Sequence, residues 1–159
     1  MTKGEILMLF GNLNQLGGLN GVKFSYGVAK NLNILKPEIE SLEKSLEMPE
    51  KFQEFERERI ALVEKYTEKD ENGKPKKETA ANGAQQYVMG KEVKKFEKEF
   101  TDLKGKYKEA VGLRDKQIEE YTKLLTTDSE VKVYKVKLED VPKEINARQM
   151  AGIYEIVQE

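Results

Sequence analysis

Apolar residues recur at intervals of three and four along two long Glu/Lys-rich runs, residues 28–66 and 93–125. That spacing places them on one face of a helix. In the first run Val28, Leu32, Leu35, Ile39, Leu42 and Leu46 form one seam. Pro37 lies inside it, and the unbroken spacing across it predicts a kink rather than a stop. Past Pro49 the seam resumes two residues out of phase, as Met48, Phe52, Phe55, Leu62 and Tyr66, with Arg59 at one core-type position. Pro49 is therefore the expected break. The second run reads Val93, Phe96, Phe100, Leu103, Tyr107 and Ala110, then slips to Val111, Ile118, Tyr121 and Leu125. Gly105 and Gly112 each cost about 1 kcal/mol relative to alanine in a helix interior. They either admit a close neighbour or loosen the helix.

Two such runs joined by a turn-rich insert predict a long antiparallel helical hairpin. The expected register places Leu62 near Phe96, Phe55 near Leu103, Phe52 near Tyr107 and Leu42 near Ile118. Charge favours the same pairing, because residues 38–64 carry nine acids and four bases while residues 91–108 carry seven bases and four acids. Glu58 is expected to meet Lys98, and Glu54 to meet Lys104, at the rim.

The flanking segments predict smaller elements. Thr2-x-x-Glu5 is a capping box in front of Ile6, Leu9, Phe10, Leu13 and Leu16, and glycines at 17, 18 and 21 end that helix. In the insert, Asn72-Gly73 and Asn82-Gly83 are turn dipeptides. Residues 86–89 read as a short strand that would pair near residues 66–69. VKVYKVKL at 131–138 is β-prone, with its alternation slipping at Val133-Tyr134. It is expected to pair with the tip strands or with another chain. Asn146-x-x-Gln149 caps a last helix carrying Met150, Ile153, Tyr154 and Val157. The expected fold is mainly α with a small β element (α+β), in a single domain 1–159. It comprises helix 2–16, kinked helix 22–66, a β-hairpin-like tip 67–90, helix 91–125, strand 130–138 and helix 146–157.

Composition narrows the chemistry. Of 159 residues 36 % are charged, and 28 basic against 29 acidic residues leave a net charge of −1. That balance lacks the electrostatic footprint of a duplex-DNA or anionic-membrane protein, although a local patch remains compatible. Cysteine, histidine and tryptophan are absent. Disulfides, thiolate or imidazole metal sites and histidine acid–base chemistry are thereby excluded. The amino-terminal apolar stretch, broken by Gly4 and Gly11, lacks the form of a signal peptide, and no run approaches a membrane span. A soluble, intracellular protein is expected.

Candidate sites are few. Residues 68–73 imitate the start of a calcium loop, but the twelfth position is Thr79 instead of a bidentate glutamate and the eighth is Pro75. A solvated turn is the better reading. Acid pairs such as Glu54/Glu58 sit on a charged helix flank, and no serine has a histidine base or a nucleophile elbow. No phosphate loop or dinucleotide fingerprint is present. Neither catalysis, a metal nor a cofactor is expected. The candidate interaction surface consists of Lys74, Lys76, Lys77 and Tyr87 in the tip, with Val131 and Tyr134 in the strand.

Several segments resemble a family of small proteins encoded by phages and prophages of Gram-positive and gut bacteria. They are GVKFSYGVAKN at 21–31, KPEIE at 36–40, RERIALVEKY at 57–66, EKDENGKP at 68–75 and KVKLEDVP at 135–142. The likeness covers most of the chain. Residues 76–90 depart from it as a longer, differently composed tip. The family carries no assigned activity, so no functional residue transfers, and the resemblance implies only a viral or prophage origin. The expectation is a phage-encoded, non-catalytic protein-interaction module in the host bacterial cytoplasm. It would engage or occlude a host or phage protein, a defence enzyme among the candidates. A virion-assembly or minor structural role is the alternative, and a weak nucleic-acid or nucleotide binder a further one. A homo-oligomer is left open; nucleic acid and membrane are not expected partners.

Overall fold

The computed structural model describes all 159 residues. It is mainly α-helical, with two small two-stranded sheets. The helices are α1 (Lys3–Asn14), α2 (Val22–Ser45), α3 (Glu50–Tyr66), α4 (Val93–Lys106), α5 (Lys108–Leu125) and α6 (Ala147–Gly152). The strands are β1 (Lys77–Thr79), β2 (Gln85–Tyr87), β3 (Val136–Lys137) and β4 (Val157–Gln158). Contacts within the expected single domain gather into two compact units, Met1–Glu47 with Gln117–Glu159, and Met48–Lys116.

The first unit holds the larger core. Ile6, Leu9, Leu13 and Leu16 from the α1 region pack with Phe24, Val28, Leu35 and Ile39 of α2 and with Val136, Ile153 and Ile156 from the C-terminal segment. The capping box forms as expected: Thr2 Oγ1 accepts from the Glu5 amide at 3.2 Å, and Glu5 Oε2 accepts from the Thr2 amide at 2.7 Å. α2 runs unbroken through Pro37 and ends at Ser45, so the expected helix 22–66 is two helices, with Pro49 as the N-cap of α3.

Two expectations for the C-terminal segment are corrected. Strand 130–138 shrinks to β3, which pairs in parallel with β4, Val136 opposite Val157 and Lys137 opposite Gln158, not with the tip strands. Ahead of β3 the backbone of Tyr134 is held by the side chain of Asn31, which removes it from any ladder. The expected helix 146–157 keeps its Asn146/Gln149 capping box but stops at Gly152. Gly152 offers its carbonyl to Asn12 Nδ2 at 3.0 Å. A 3-10 turn at Tyr154–Ile156 follows, with Ile153 and Ile156 fully buried. Residues three apart eclipse one another in such a turn, which sets Ile153 and Ile156 on the same buried side.

In the second unit α3 packs on α4, and the core is thin: Phe55, Leu103, Tyr107 and Ala110, flanked by Phe52, Leu62, Phe100 and Val111. Ring contacts follow the seam, with Phe55 5.8 Å from Tyr107 and Tyr66 5.9 Å from Phe96. The ring of Phe55 thus reaches one turn beyond the Leu103 expected opposite it. The rim pairs are corrected as well. Glu58 meets Lys106, not Lys98, and Glu54 pairs with Lys51 in its own helix while Lys104 lies over the Phe100 ring. The expected helix 91–125 is interrupted at Tyr107, between α4 and α5. At Gly105 and Gly112 a Cβ would meet nothing within 4 Å, so neither admits a close neighbour.

Candidate functional site

The tip in the second unit is built from two turns. Asp70 Oδ1 accepts from the amides of Asn72 at 2.9 Å and Lys74 at 2.8 Å, and Gly73 takes a positive φ of 73°. Asp70 therefore acts as a turn-former, where the calcium-loop imitation would have made it a ligand. The second turn repeats the device, with Asn82 Oδ1 accepting from Ala84 and Gly83 at φ 80°. Glycine reaches that region without a Cβ clash. The strand β2 pairs antiparallel with β1, Lys77 opposite Tyr87. The expected pairing with residues 66–69 forms in part, as a bridge from Thr67 to Met89 beside which the Gly90 amide donates to the Tyr66 carbonyl at 2.8 Å. At the base, three backbone bonds close a ring: Glu68 donates to Val88, Val88 to Lys76, and Lys76 to Glu68, at 2.8, 3.0 and 2.8 Å.

This frame brings the four expected tip residues together. Lys74, Lys76, Lys77 and Tyr87 line one open cleft of about 520 Å³ with Glu64, Asp70 and Pro75. Lys77 Nζ lies 4.9 Å from the Tyr87 ring centroid, and Lys76 approaches Glu68 at 3.7 Å. All six residues of β1 and β2 are exposed, so backbone hydrogen bonds and turn chemistry order them rather than burial.

Between α3 and α4 two carboxylates are each gripped by a Lys-Tyr pair. Glu99 accepts from Lys65 Nζ at 2.9 and 3.1 Å and from Tyr66 Oη at 2.7 Å. Glu58 accepts from Lys106 Nζ at 2.7 and 2.9 Å and from Tyr107 Oη at 2.7 Å. In each, the hydrogen bond from the lysine, then that from the tyrosine, holds the carboxyl below its ordinary value. The two lysines are held correspondingly high. Both clamps are satisfied, exposed and symmetric in kind, which suits setting register more than chemistry.

The expected strand residues lie in the first unit. Val131 packs against its core and is spent there. Tyr134 instead sits at a surface that periodicity does not reveal. Its ring meets Tyr26 edge-on, with centroids 5.9 Å apart and planes at 89°, and Lys30 Nζ stands 4.0 Å from its centroid. A cleft of about 450 Å³ opens beside this pair. It is lined by Val22, Lys23 and Tyr26 of α2, by residues 134–137, and by Asp140 and Gln158. Asp140 bonds Lys23 at 3.0 Å and holds its ammonium above the ordinary value. Tyr26, Lys23 and Lys30 are absent from the sequence-derived surface. The one signal for them was their place off the α2 seam, which marks a solvated face equally well.

No helix is long and apolar enough to cross a membrane. No family model, curated protein or solved structure matches the chain.

Proposed function

We propose that this is a non-catalytic, phage-encoded interaction module that binds a host protein, defence proteins among the candidates, through the tip of its second unit. In this reading α3 and α4 are the arms of a helical hairpin whose role is to present β1, β2 and their turns. The observation that carries it is the exposure of every residue in β1 and β2 together with the dense backbone bonding at their base. The side-chain-anchored turns and the backbone bonds at their base bias the segment towards one shape, so less conformational entropy is lost when a partner lands on it. Tyr87 supplies an aromatic anchor of the kind that dominates such contacts, and Lys74, Lys76 and Lys77 supply the positive charge that steers an acidic partner towards it. The host cytoplasm is the compartment this role requires.

The test is a photo-crosslinking amino acid at Tyr87, expressed in a bacterial host, followed by binding of the purified partner. A single cross-linked host protein whose affinity falls at least about tenfold on Lys74→Glu, Lys76→Glu and Lys77→Glu supports the reading. Equal affinity for the triple variant, or cross-links only to further copies in a large assembly by light scattering, overturns it. The second outcome would favour a structural role.

A further inference from the structure

We propose that the Tyr26–Tyr134 face of the first unit is a binding site for single-stranded nucleic acid. Nucleic-acid binding without sequence readout needs two things: an aromatic platform on which a base can stack, and cations at its margins for the phosphates. Both occur here. Tyr26 is 57 % exposed and Tyr134 37 %, whereas the Phe55–Tyr107 pair of the second unit is buried in a core. Lys30 leans over Tyr134 at 4.0 Å but lies 5.8 Å from the Tyr26 centroid, which leaves Tyr26 the more open ring.

The margins are basic on both sides. Lys23 lies on the α2 wall and Lys135 and Lys137 on the strand wall, against Asp140 as the one carboxylate in the cleft. Lys30 extends the same character into an adjoining hollow of about 380 Å³ lined by Tyr26, Ala29, Asn33 and Ile34. These lysines do have present partners. Lys23 meets Asp140, Lys137 meets Glu139 at 3.5 Å, and Lys135 reaches the Glu155 carbonyl. The Lys137–Glu139 pair is exposed on both sides and weak, so that lysine is available to phosphate, while Lys23 is tied to the part-buried Asp140. The whole-chain charge of −1 argues against a duplex, whose recognition needs a broad positive field. A short single strand needs only a local patch. An acidic peptide would satisfy the lysines but would leave the open ring unused.

The anchoring is firm where stacking needs it. Asn31 fixes the backbone of Tyr134 from below, and the Val136 side chain is buried against Gly27, so residues 134–136 have little freedom to drift from α2.

The experiment is fluorescence anisotropy of labelled oligo-dT and oligo-U, each of about 12 nucleotides, titrated with the full chain. Salt runs from about 50 to about 200 mM. Saturable binding that weakens with salt is expected. Tyr26→Ala should weaken it about tenfold, the loss of one stacked base, while Tyr26→Phe retains it. Lys30→Ala with Lys137→Ala should lower the salt slope by about 1.4, at about 0.7 per phosphate contact. Replacing Lys74, Lys76 and Lys77 by alanine should change nothing. Circular dichroism melts of each variant establish that it is folded. Three results would overturn the site: no anisotropy change at low salt, loss of binding in the tip variant but not in Tyr26→Ala, or full displacement by poly-glutamate with Tyr26→Ala unimpaired. The last would identify an acidic-protein surface.

Discussion

Asn31 takes the place of a neighbouring strand for Tyr134. Its Oδ1 accepts the Tyr134 amide at 2.7 Å, and its Nδ2 donates to the Tyr134 carbonyl at 2.8 Å and to the Gly27 carbonyl at 3.0 Å. The side chain is fully buried, yet none of its polar atoms is left without a partner. A buried amide so used satisfies two backbone groups that the missing ladder would have paired.

Asn31→Leu keeps the branching at Cγ, adds some volume, and orphans both Tyr134 backbone groups. A loss of about 2–6 kcal/mol is expected, from about 1–3 kcal/mol for each of the two unsatisfied groups. Urea denaturation measures it, and hydrogen exchange should show the Tyr134 amide losing protection. Unchanged stability would mean that water replaces the amide without cost.

Gly27 and Gly112 make a matched contrast. A Cβ at Gly27 would run into Val136 Cγ2, whereas one at Gly112 meets open space. Gly27→Ala should destabilise by about 1–3 kcal/mol through overpacking. Gly112→Ala should stabilise by about 0.5–1 kcal/mol, because alanine loses less backbone entropy in a helix. Thermal melts with opposite signs for the pair are the expected result.

Pro37 sits exposed inside α2, where it can donate no backbone bond. Pro37→Ala restores that donor, and a gain of up to about 3 kcal/mol is expected. A loss on chemical denaturation would mean that the proline's restriction of the unfolded chain outweighs its missing bond.

The Glu58 and Glu99 clamps make the second unit sensitive to acid. Both carboxyls are held below their ordinary value, so their contribution is fully present above the unfolded-state pKa. It is lost as pH falls through the lower folded value. Lys65 and Lys106 are held high, so their share is complete below the ordinary lysine value and disappears as pH rises through the raised one. Melting temperature should therefore be level near neutrality and fall at both extremes. In Glu58→Gln with Glu99→Gln the acid limb should flatten and the neutral plateau drop. An unchanged acid limb in that variant would assign the pH dependence elsewhere.

Period and capping are local properties, and they could be read directly. The α1 and α6 capping boxes form from residues three apart, and the turns at Asn72-Gly73 and Asn82-Gly83 need only their own side chains and a glycine. The four tip residues were legible because those turns fold them onto one another. The face around Tyr26 was not, because it joins residues more than a hundred positions apart.

The sequence by itself determined a mainly helical chain, its break at Pro49, its turn-built tip and the chemistry that residues it lacks cannot perform. Tertiary structure alone decided register and pairing. Glu58 and Glu99 had several lysines within reach of a sliding seam, and side-chain charge does not distinguish them. The choice fell to the rings, since Phe55 on Tyr107 and Tyr66 on Phe96 bring each Lys-Tyr pair to its glutamate. The fate of residues 131–138 was likewise settled by a single buried side chain, Asn31. Asn31 stands at seam spacing, three residues past Val28 and four before Leu35, but its polarity masks that position and its hydrogen-bond partners become visible only once the chain has folded back over it.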